Sequence, residues 1–547
     1  MLKKIINLSY SILVSLAIAI SIIYFKTMWL QKEDYTAGLR LEYINVKSIM
    51  IFLITAVIIY FVLEKVETKI DCLKIIERQE ERNKPTKIFI QSIFSNWVIW
   101  GIWFMVYAPG GGMNDTINTI MAPMTVDNCP VIYQMLMWYG MKVLKYLTGS
   151  MRGGYAGLVL IQMLICSVVF ASVISWLSDK NVKKKVLYIL IAYYSFLPVI
   201  ADYSITLVKD TLFAVFLLKF VILLYDIVES KGEFLKENKN LVEIILTAIG
   251  VCCFRSNGAM VCIFSLAITF FVIKKRKKRF LLLLAVVLLT NVGIGHFSQV
   301  RFGDGANFRE STGVLMAQIG AVMNDPDAKI NQEELEILNK ILPVEKWKEN
   351  YRPSFADTIK FDAEFNNDWL NQNKMTFIKV WFGIMLKNFP VYVKSYICHS
   401  YGYWGILPYR PDMSQSYFAS INNNTGEDSV WGAFCEENGL VNQSVLPQAI
   451  STSLKKVFKV IIVANFIITP GTMIFIVLLC IAILLSKKKY SASVSYLPVV
   501  FTWGTMMIAS PASLIYRYSY YLVVVLPIII VTTIMQCTTA ETKSYSI

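Results

Sequence analysis

The chain has 547 residues, 56% of them hydrophobic and only 17% charged, with a mean hydropathy of +0.52, against roughly 25% charge in a soluble domain. That composition excludes an ordinary soluble enzyme and points to an all-α polytopic membrane protein, because a helix satisfies its own backbone hydrogen bonds in hydrocarbon and the barrel alternation of strands is missing. The net charge of +15 would suit nucleic acid, but the bases sit in short loops between apolar runs, so they are read as membrane topology and nucleic acid is excluded as a partner.

In chain order, the first apolar run, 5–25, follows Lys3 and Lys4 as in a signal peptide but lacks an A-x-A cleavage site, and is read as a retained helix. Further spans are expected at 47–63, 88–107, 155–177, 186–204, 211–228, 241–254, 258–273, 280–297, 458–485, 494–510 and 517–536, making about twelve transmembrane helices. The basic loops "NVKKKV" (181–186), "KKRKKR" (274–279) and "SKKK" (486–489) are assigned to the cytoplasm, which puts both termini there and the protein in the cell membrane. Residues 64–87 interleave acids and bases and are expected to form a solvated cytoplasmic helix. The stretch 131–147 carries Lys142 and Lys145, with Ile132, Met135, Leu136, Tyr139, Val143 and Leu147 at helical spacing; it is expected to lie flat in the outer interface.

These assignments divide the chain into four parts. Residues 1–87 hold two extra helices and the cytoplasmic helix, and 88–297 form a core with an outer loop at 108–154. Residues 298–455 make a mostly helical extracytoplasmic domain, and 456–547 hold the last helices.

Charges at the expected outer face are few. Asp115 follows Gly110, Gly111 and Gly112 in "APGGGMNDTINTI" (108–120). Asp202, Lys209 and Asp210 lie in "ADYSITLVKDTLFA" (201–214), and Arg255 and Asn257 in "FRSNG" (254–258). Arg301, Arg309 and Glu310 open the large domain, and Arg517 lies in "YRYSYY" (516–521). The simplest reading makes Asp115 and Asp210 helix caps and the bases lipid headgroup contacts. Arg255 is harder to absorb, because it interrupts a 33-residue stretch from 241 to 273 at or below headgroup level, where its guanidinium suits a phosphate. With only His296 and His399, and ten cysteines without CxxC spacing, a histidine metal site is not expected.

This constellation resembles the GT-C class of integral membrane glycosyltransferases, which take a sugar from a polyprenyl-phosphate carrier on the outer face. The segments "VKDTLFA" (208–214), "FRSNG" (254–258), "RESTGVLMAQIGAV" (309–322), "YGYWG" (401–405) and "YRYSYYLVVVLP" (516–527) are similar to a multi-pass family of Gram-positive bacteria placed near that class.

The resemblance implies a GT-C-like fold and these roles: Asp115 as catalytic base; Asp202 and Asp210 as second-loop acids shaping the site; Lys209, Arg255, Arg301 and Arg517 on the donor phosphate; Asn257, Glu310, Gln318 and Trp404 as substrate contacts. It also implies a polyprenyl-phosphate-linked sugar, a cell-envelope glycan or lipid acceptor and membrane lipids as partners, with a divalent cation, Mg or Mn, as candidate cofactor. Asn128, Cys129 and Pro130 stand where the class often has a histidine and a proline pair, and Asn114 with Asp115 replaces an acidic pair, so metal dependence stays open. Trp404, Tyr403 and Trp431 fit either sugar stacking or an interfacial aromatic belt, with the belt favoured. Expected chemistry is inverting transfer with one base and no general acid, since phosphate leaves as an anion. A lipid-linked glycan flippase, a surface polysaccharide polymerase or ligase, and a non-catalytic scaffold remain as alternatives.

Overall fold

The computed structural model describes residues 2–30, 44–73, 75–76, 84–121, 129–302, 308–407, 430–465, 468–509, 512–513 and 515–538. Among these residues the chain is helical almost throughout, with one two-stranded sheet. It is an all-α polytopic membrane protein. Seven helices are long and apolar enough to cross a bilayer: Leu2–Lys26, Val46–Cys72, Pro85–Val106, Met151–Asp179, Lys209–Glu229, Lys277–Val300 and Tyr516–Thr538. Lys184–Phe196 and Pro198–Ile205 make an eighth if counted together, bent by 54° where Pro198 disfavours the helical conformation of the residue before it.

Of the other expected spans, Gly258–Val272, Pro470–Ser486 and Leu497–Ala509 are shorter apolar helices, and 241–254 falls in Asn238–Phe254. The stretch 458–485 is not one helix: Thr469 caps a new helix at the Thr472 amide, with Pro470 in its first turn. The expected helix over 64–87 is also different. The Val46–Cys72 span continues to its own end, Ile76 bridges to Val182, and a new helix starts at Pro85, with residues 77–83 outside the described set.

Contacts sort the loops to two ends of the bundle. At one end, Lys487 pairs with Asp71, Lys180 with Asp226 and Glu229, and Arg279 bonds the Leu235 and Lys236 carbonyls. All three basic loops lie at this end. At the other end, Arg152 bonds Ala108, Gly439 and Val441, and Tyr155 bonds Gly111. Met151–Asp179 runs between the two with 29 residues, about 44 Å at 1.5 Å per residue.

The Lys209–Glu229 helix is buried on nearly every side and forms the axis of the bundle. Peripheral helices instead turn apolar side chains outward, among them Leu53, Val57 and Phe61, and Leu289 and Val292, as hydrocarbon contact requires. Pro527 sits inside Tyr520–Thr538 and supplies no N–H to the Val523 carbonyl; the Tyr193 hydroxyl donates there instead at 2.8 Å, and Tyr194 donates to Val524 at 2.8 Å.

Val131–Thr148 and Met151–Asp179 form a hairpin around left-handed Gly149. The helices meet where Gly154 and Gly157 approach Lys145 and Leu144, leaving Leu136, Tyr139, Val143, Tyr146 and Leu147 exposed. Within the expected 298–455 domain, residues 308–404 carry their own apolar core around Met316, Trp347, Phe377 and Ile384. Residues 430–446 lie against the membrane bundle, with Cys435 and Leu440 in its main core.

Candidate functional site

The site is assembled by four residues of sheet. Gly111–Gly112 pairs in parallel with Thr206–Leu207, Gly111 opposite Thr206 and Gly112 opposite Leu207. Gly110 enters this strand at φ +119°, and a Cβ there would lie 2.6 Å from Val159 Cγ2 and 2.8 Å from the Ile205 carbonyl oxygen. Only glycine fits that path. The flanks are pinned by side chains: Asn442 Nδ2 bonds the Tyr107 and Gly110 carbonyls at 2.6 and 2.7 Å, and Gln162 Nε2 bonds those of Tyr203, Ser204 and Thr206. Thr116 donates to the Leu207 carbonyl at 2.7 Å, and Tyr133 lies 3.0 Å from the same hydroxyl.

Each strand runs straight into a helix. Asp115 lies in the first turn of Asn114–Met121, and Lys209 and Asp210 open Lys209–Glu229. Neither aspartate acts as a simple cap. The residue capping Lys209–Glu229 is Val208, without a side-chain hydrogen bond, and Asp115 turns to cations. Its Oδ2 is 2.7 Å from Lys209 Nζ and 3.1 Å from Arg517. Asp210 pairs with Arg255, and its other oxygen faces Arg517 Nε at 4.0 Å. Five charged side chains from four segments therefore form one chain of contacts: Lys209, Asp115, Arg517, Asp210, Arg255.

Both guanidiniums stack on one ring, Arg255 at 5.0 Å and Arg517 at 5.2 Å from the Tyr518 centroid. The Met506 and Met113 sulfurs each lie 3.4 Å from a guanidinium nitrogen. Burial opposes ionisation of Asp115, but the Arg517 guanidinium and the Lys209 ammonium outweigh it and hold the carboxyl well below the usual carboxylate range. Burial pushes the nearby Cys129 thiol up to about 11, so it is a neutral neighbour and not a thiolate nucleophile.

The other candidates fall elsewhere. Asp202 is buried in Pro198–Ile205, close to Tyr107 and Tyr520. Asn257 bonds Thr505 at 2.7 Å and ties the break at 255–257 to Leu497–Ala509. Arg301 lies near the end of Lys277–Phe302, and its side chain is outside the described set. Glu310 pairs with buried Lys360 at 3.1 Å. Gln318 is held in the 308–404 core, accepting from Trp381 at 3.0 Å and donating to the Tyr392 carbonyl. Trp404 bonds Ser400 and packs with Tyr24, Tyr401 and Phe475 inside an apolar cluster.

Sequence reasoning missed Tyr518, Asn442, Gln162 and Arg152. Tyr518 adjoins Arg517, yet its second guanidinium comes from position 255, and nothing in the order of residues announces that. Asn442 and Gln162 carried no motif. Among the described residues no three His, Cys, Asp or Glu side chains gather as a metal site. Asp115 and Asp210 are already met by cations, so these residues do not fit a divalent cation.

Residues 122–546 match the model of a family described as a family of unknown function, DUF6020. The match covers most of the chain, which therefore belongs to that family. The matched range takes in Lys209, Asp210, Arg255 and Arg517 and begins shortly after Asp115. No curated protein and no solved structure matches the chain.

Proposed function

We propose that this member of the DUF6020 family is a GT-C-like glycosyltransferase that moves a sugar from a polyprenyl-phosphate donor to a cell-envelope acceptor, with inversion. The observation that carries this reading is the single network joining Asp115 to Lys209, Arg517 and Arg255 at the end of the bundle opposite the basic loops. If Asn238–Phe254, Gly258–Val272, Pro470–Ser486 and Leu497–Ala509 are counted as crossings, the topology has twelve spans. The positive-inside rule then places both termini in the cytoplasm and the network at the outer face of the cell membrane.

The chemistry follows from charge. Transfer needs a base for the acceptor hydroxyl and cations for the phosphate, whose charge grows as the bond to the anomeric carbon breaks. Asp115 is the base, and Lys209, Arg255 and Arg517 meet the phosphate. In the resting protein Asp115 is a weak base because two cations hold it ionised; a bound phosphate that draws Lys209 and Arg517 toward itself strengthens it. The glycine strand brings backbone close to the reacting groups without a side chain in the way.

A lipid-linked glycan transporter is the second reading. Lys219 and Glu243 pair at 2.7 Å, and Lys219 lies about 15 Å along its helix from either end, a depth where ionisable groups often mark a pathway. The pair is closed on itself, which favours a structural tie over a translocation site.

The test is transfer by purified protein in lipid nanodiscs from radiolabelled undecaprenyl-phosphate sugars. Wild type is expected to transfer, and Asp115→Asn to fall by at least about 100-fold, the usual scale for loss of a general base. Full transfer by the variant would remove Asp115 as the base. No transfer by wild type from any such donor would favour transport, to be checked by sided lipid-flipping in proteoliposomes.

A further inference from the structure

A recess lies at the end of the bundle that carries the basic loops, away from the Asp115 network. Where Pro85–Val106 begins, a cavity of about 680 Å³ opens between that helix and the last turn of Met151–Asp179, with Lys84, Lys87, Ile90, Gln91 and Asp179 in its lining. Ser175 of the second helix donates to the Pro85 carbonyl at 3.2 Å and holds this corner together. Two lysines against one aspartate leave the lining at +1. Among the described residues neither lysine side chain meets a carboxylate or any other partner. Gln91 accepts from the Tyr188 hydroxyl at 3.3 Å through its amide oxygen, and its amide nitrogen remains as a donor.

Further along the helix the same face changes character. Lys84, Lys87, Gln91, Phe94 and Val98 follow at i, i+3, i+7, i+10 and i+14, one column about 21 Å long at 1.5 Å per residue. Its first three members are cationic or polar. Phe94 and Val98 are 70% and 44% exposed, with Ile90 beside them at 60%. Ile88, Ser92, Asn96 and Trp100 form the buried face of the helix, so the column looks out of the bundle. Cations at the membrane surface that give way to bare apolar side chains repeat the polarity profile of one phospholipid, with phosphate above and acyl chain below.

We propose that this recess binds the headgroup of an anionic phospholipid from the leaflet on the side of the basic loops. Lys84 and Lys87 meet the phosphate, Gln91 donates to the glycerol or ester oxygens, and an acyl chain lies along Phe94 and Val98. The ammonium groups supply the attraction at the membrane surface, and the lysine stems cover the walls of the recess. A zwitterionic lipid brings no net charge to a lining of +1, so the site selects an acidic headgroup. A soluble phosphate would meet the lysines but leave Phe94 and Val98 uncovered. The occupant is distinct from any ligand of Asp115, which sits at the opposite end of the bundle.

The test titrates delipidated full chain in detergent with phosphatidylglycerol, phosphatidylcholine or glycerol 3-phosphate and reads bound lipid by native mass spectrometry. Phosphatidylglycerol is expected to bind at least about tenfold more tightly than phosphatidylcholine. Lys84→Ala with Lys87→Ala should weaken it about 30-fold, the loss of two lysine attractions at the surface. Lys274→Ala with Lys278→Ala removes the same charge from exposed positions at the same end of the bundle and should change binding less than about threefold. Gln91→Leu alters no charge and should weaken binding about fivefold, the scale of one hydrogen bond. Size exclusion identifies a variant that does not fold, and the others carry the test. Equal losses in the two lysine pairs, with Gln91→Leu silent, would reduce the effect to the general field of the basic end and overturn the site. Glycerol 3-phosphate bound as tightly as phosphatidylglycerol would overturn the lipid as its occupant.

Discussion

Asp115 and Lys209 are 94 residues apart in the chain and 2.7 Å apart in the fold. Their meeting follows from the register of Gly111–Gly112 on Thr206–Leu207, because each charged residue comes two or three positions after its strand. A contact this short between a carboxylate and an ammonium, reinforced by Arg517 on the same oxygen, makes Asp115 both a candidate base and a structural counter-ion. The two roles have separable consequences.

The counter-ion role shows in acid. Burial raises the Asp115 carboxyl, but Arg517 and Lys209 more than reverse this, so its folded value lies below its unfolded one of about 3.9. A group shifted in that direction contributes stability that is fully present above the unfolded value and lost as pH falls through the folded one. Asp115→Asn is expected to cost about 2 to 4 kcal/mol near neutrality, since it strands partly buried cations. Thermal melting in nanodiscs should show that cost constant from pH 8 to about 5 and shrinking below about 4. A cost that already fades between pH 8 and 6 would contradict the depressed carboxyl.

The strand register makes a demand on Gly110. Alanine there meets Val159 and the Ile205 carbonyl and takes a left-handed backbone angle, so Gly110→Ala should lose at least about 2 kcal/mol of stability and most binding of the polyprenyl-phosphate donor. Gly101 lies within Pro85–Val106 with open space around its Cβ position; Gly101→Ala should be neutral or stabilising by up to about 1 kcal/mol. Equal effects at the two positions in a melting experiment would show that the loop path does not depend on Gly110.

What could be read from the residues alone was sidedness. Charge parity put Asp115, Lys209, Asp210, Arg255 and Arg517 on one face, and the fold gathers those five. Their partners were not legible, because Asp115 joins Lys209 through a strand of two glycines and a strand of Thr206 and Leu207, neither with a β-pattern. Glu310 and Gln318 read as site residues from a local motif, yet their contacts, Lys360 and Trp381, lie 50 and 63 residues away. Thr469 followed by Pro470 carries a cap-and-proline signal for a helix start, but the apolarity on either side masks it, and 458–485 reads as one span. The shorter helices show the same limit, for hydropathy measures length of apolar run and not where a helix ends.

Pro527 gives a sharper test of packing. The Val523 carbonyl, deprived of its helical donor, takes the Tyr193 hydroxyl at 2.8 Å. Tyr193→Phe leaves that carbonyl without its donor in an apolar setting and should cost about 1 to 3 kcal/mol. In a Pro527→Ala background the backbone N–H returns, and the same substitution should cost less than about 1 kcal/mol. A double-mutant cycle by thermal melting reads the difference directly. Equal costs in both backgrounds would mean that Tyr193 does not substitute for the missing amide.

Orientation can be read from a cysteine the chain already has. Cys72 is exposed at the end of Val46–Cys72, next to the Asp71–Lys487 pair, whereas most of the other cysteines are buried. The basic loops share its end of the bundle, so in intact bacteria a membrane-impermeant maleimide should leave Cys72 unlabelled until the cells are permeabilised. Glu436 is exposed at the opposite end, on the Val430–Glu437 helix that packs against Asn114–Met121. Glu436→Cys in a Cys72→Ser background should label without permeabilisation. The reverse pattern would put the Asp115 network in the cytoplasm, where a lipid-linked donor presented at the outer face could not reach it. Labelling of both positions from one side would mean that the two ends of the bundle do not lie across a membrane from each other.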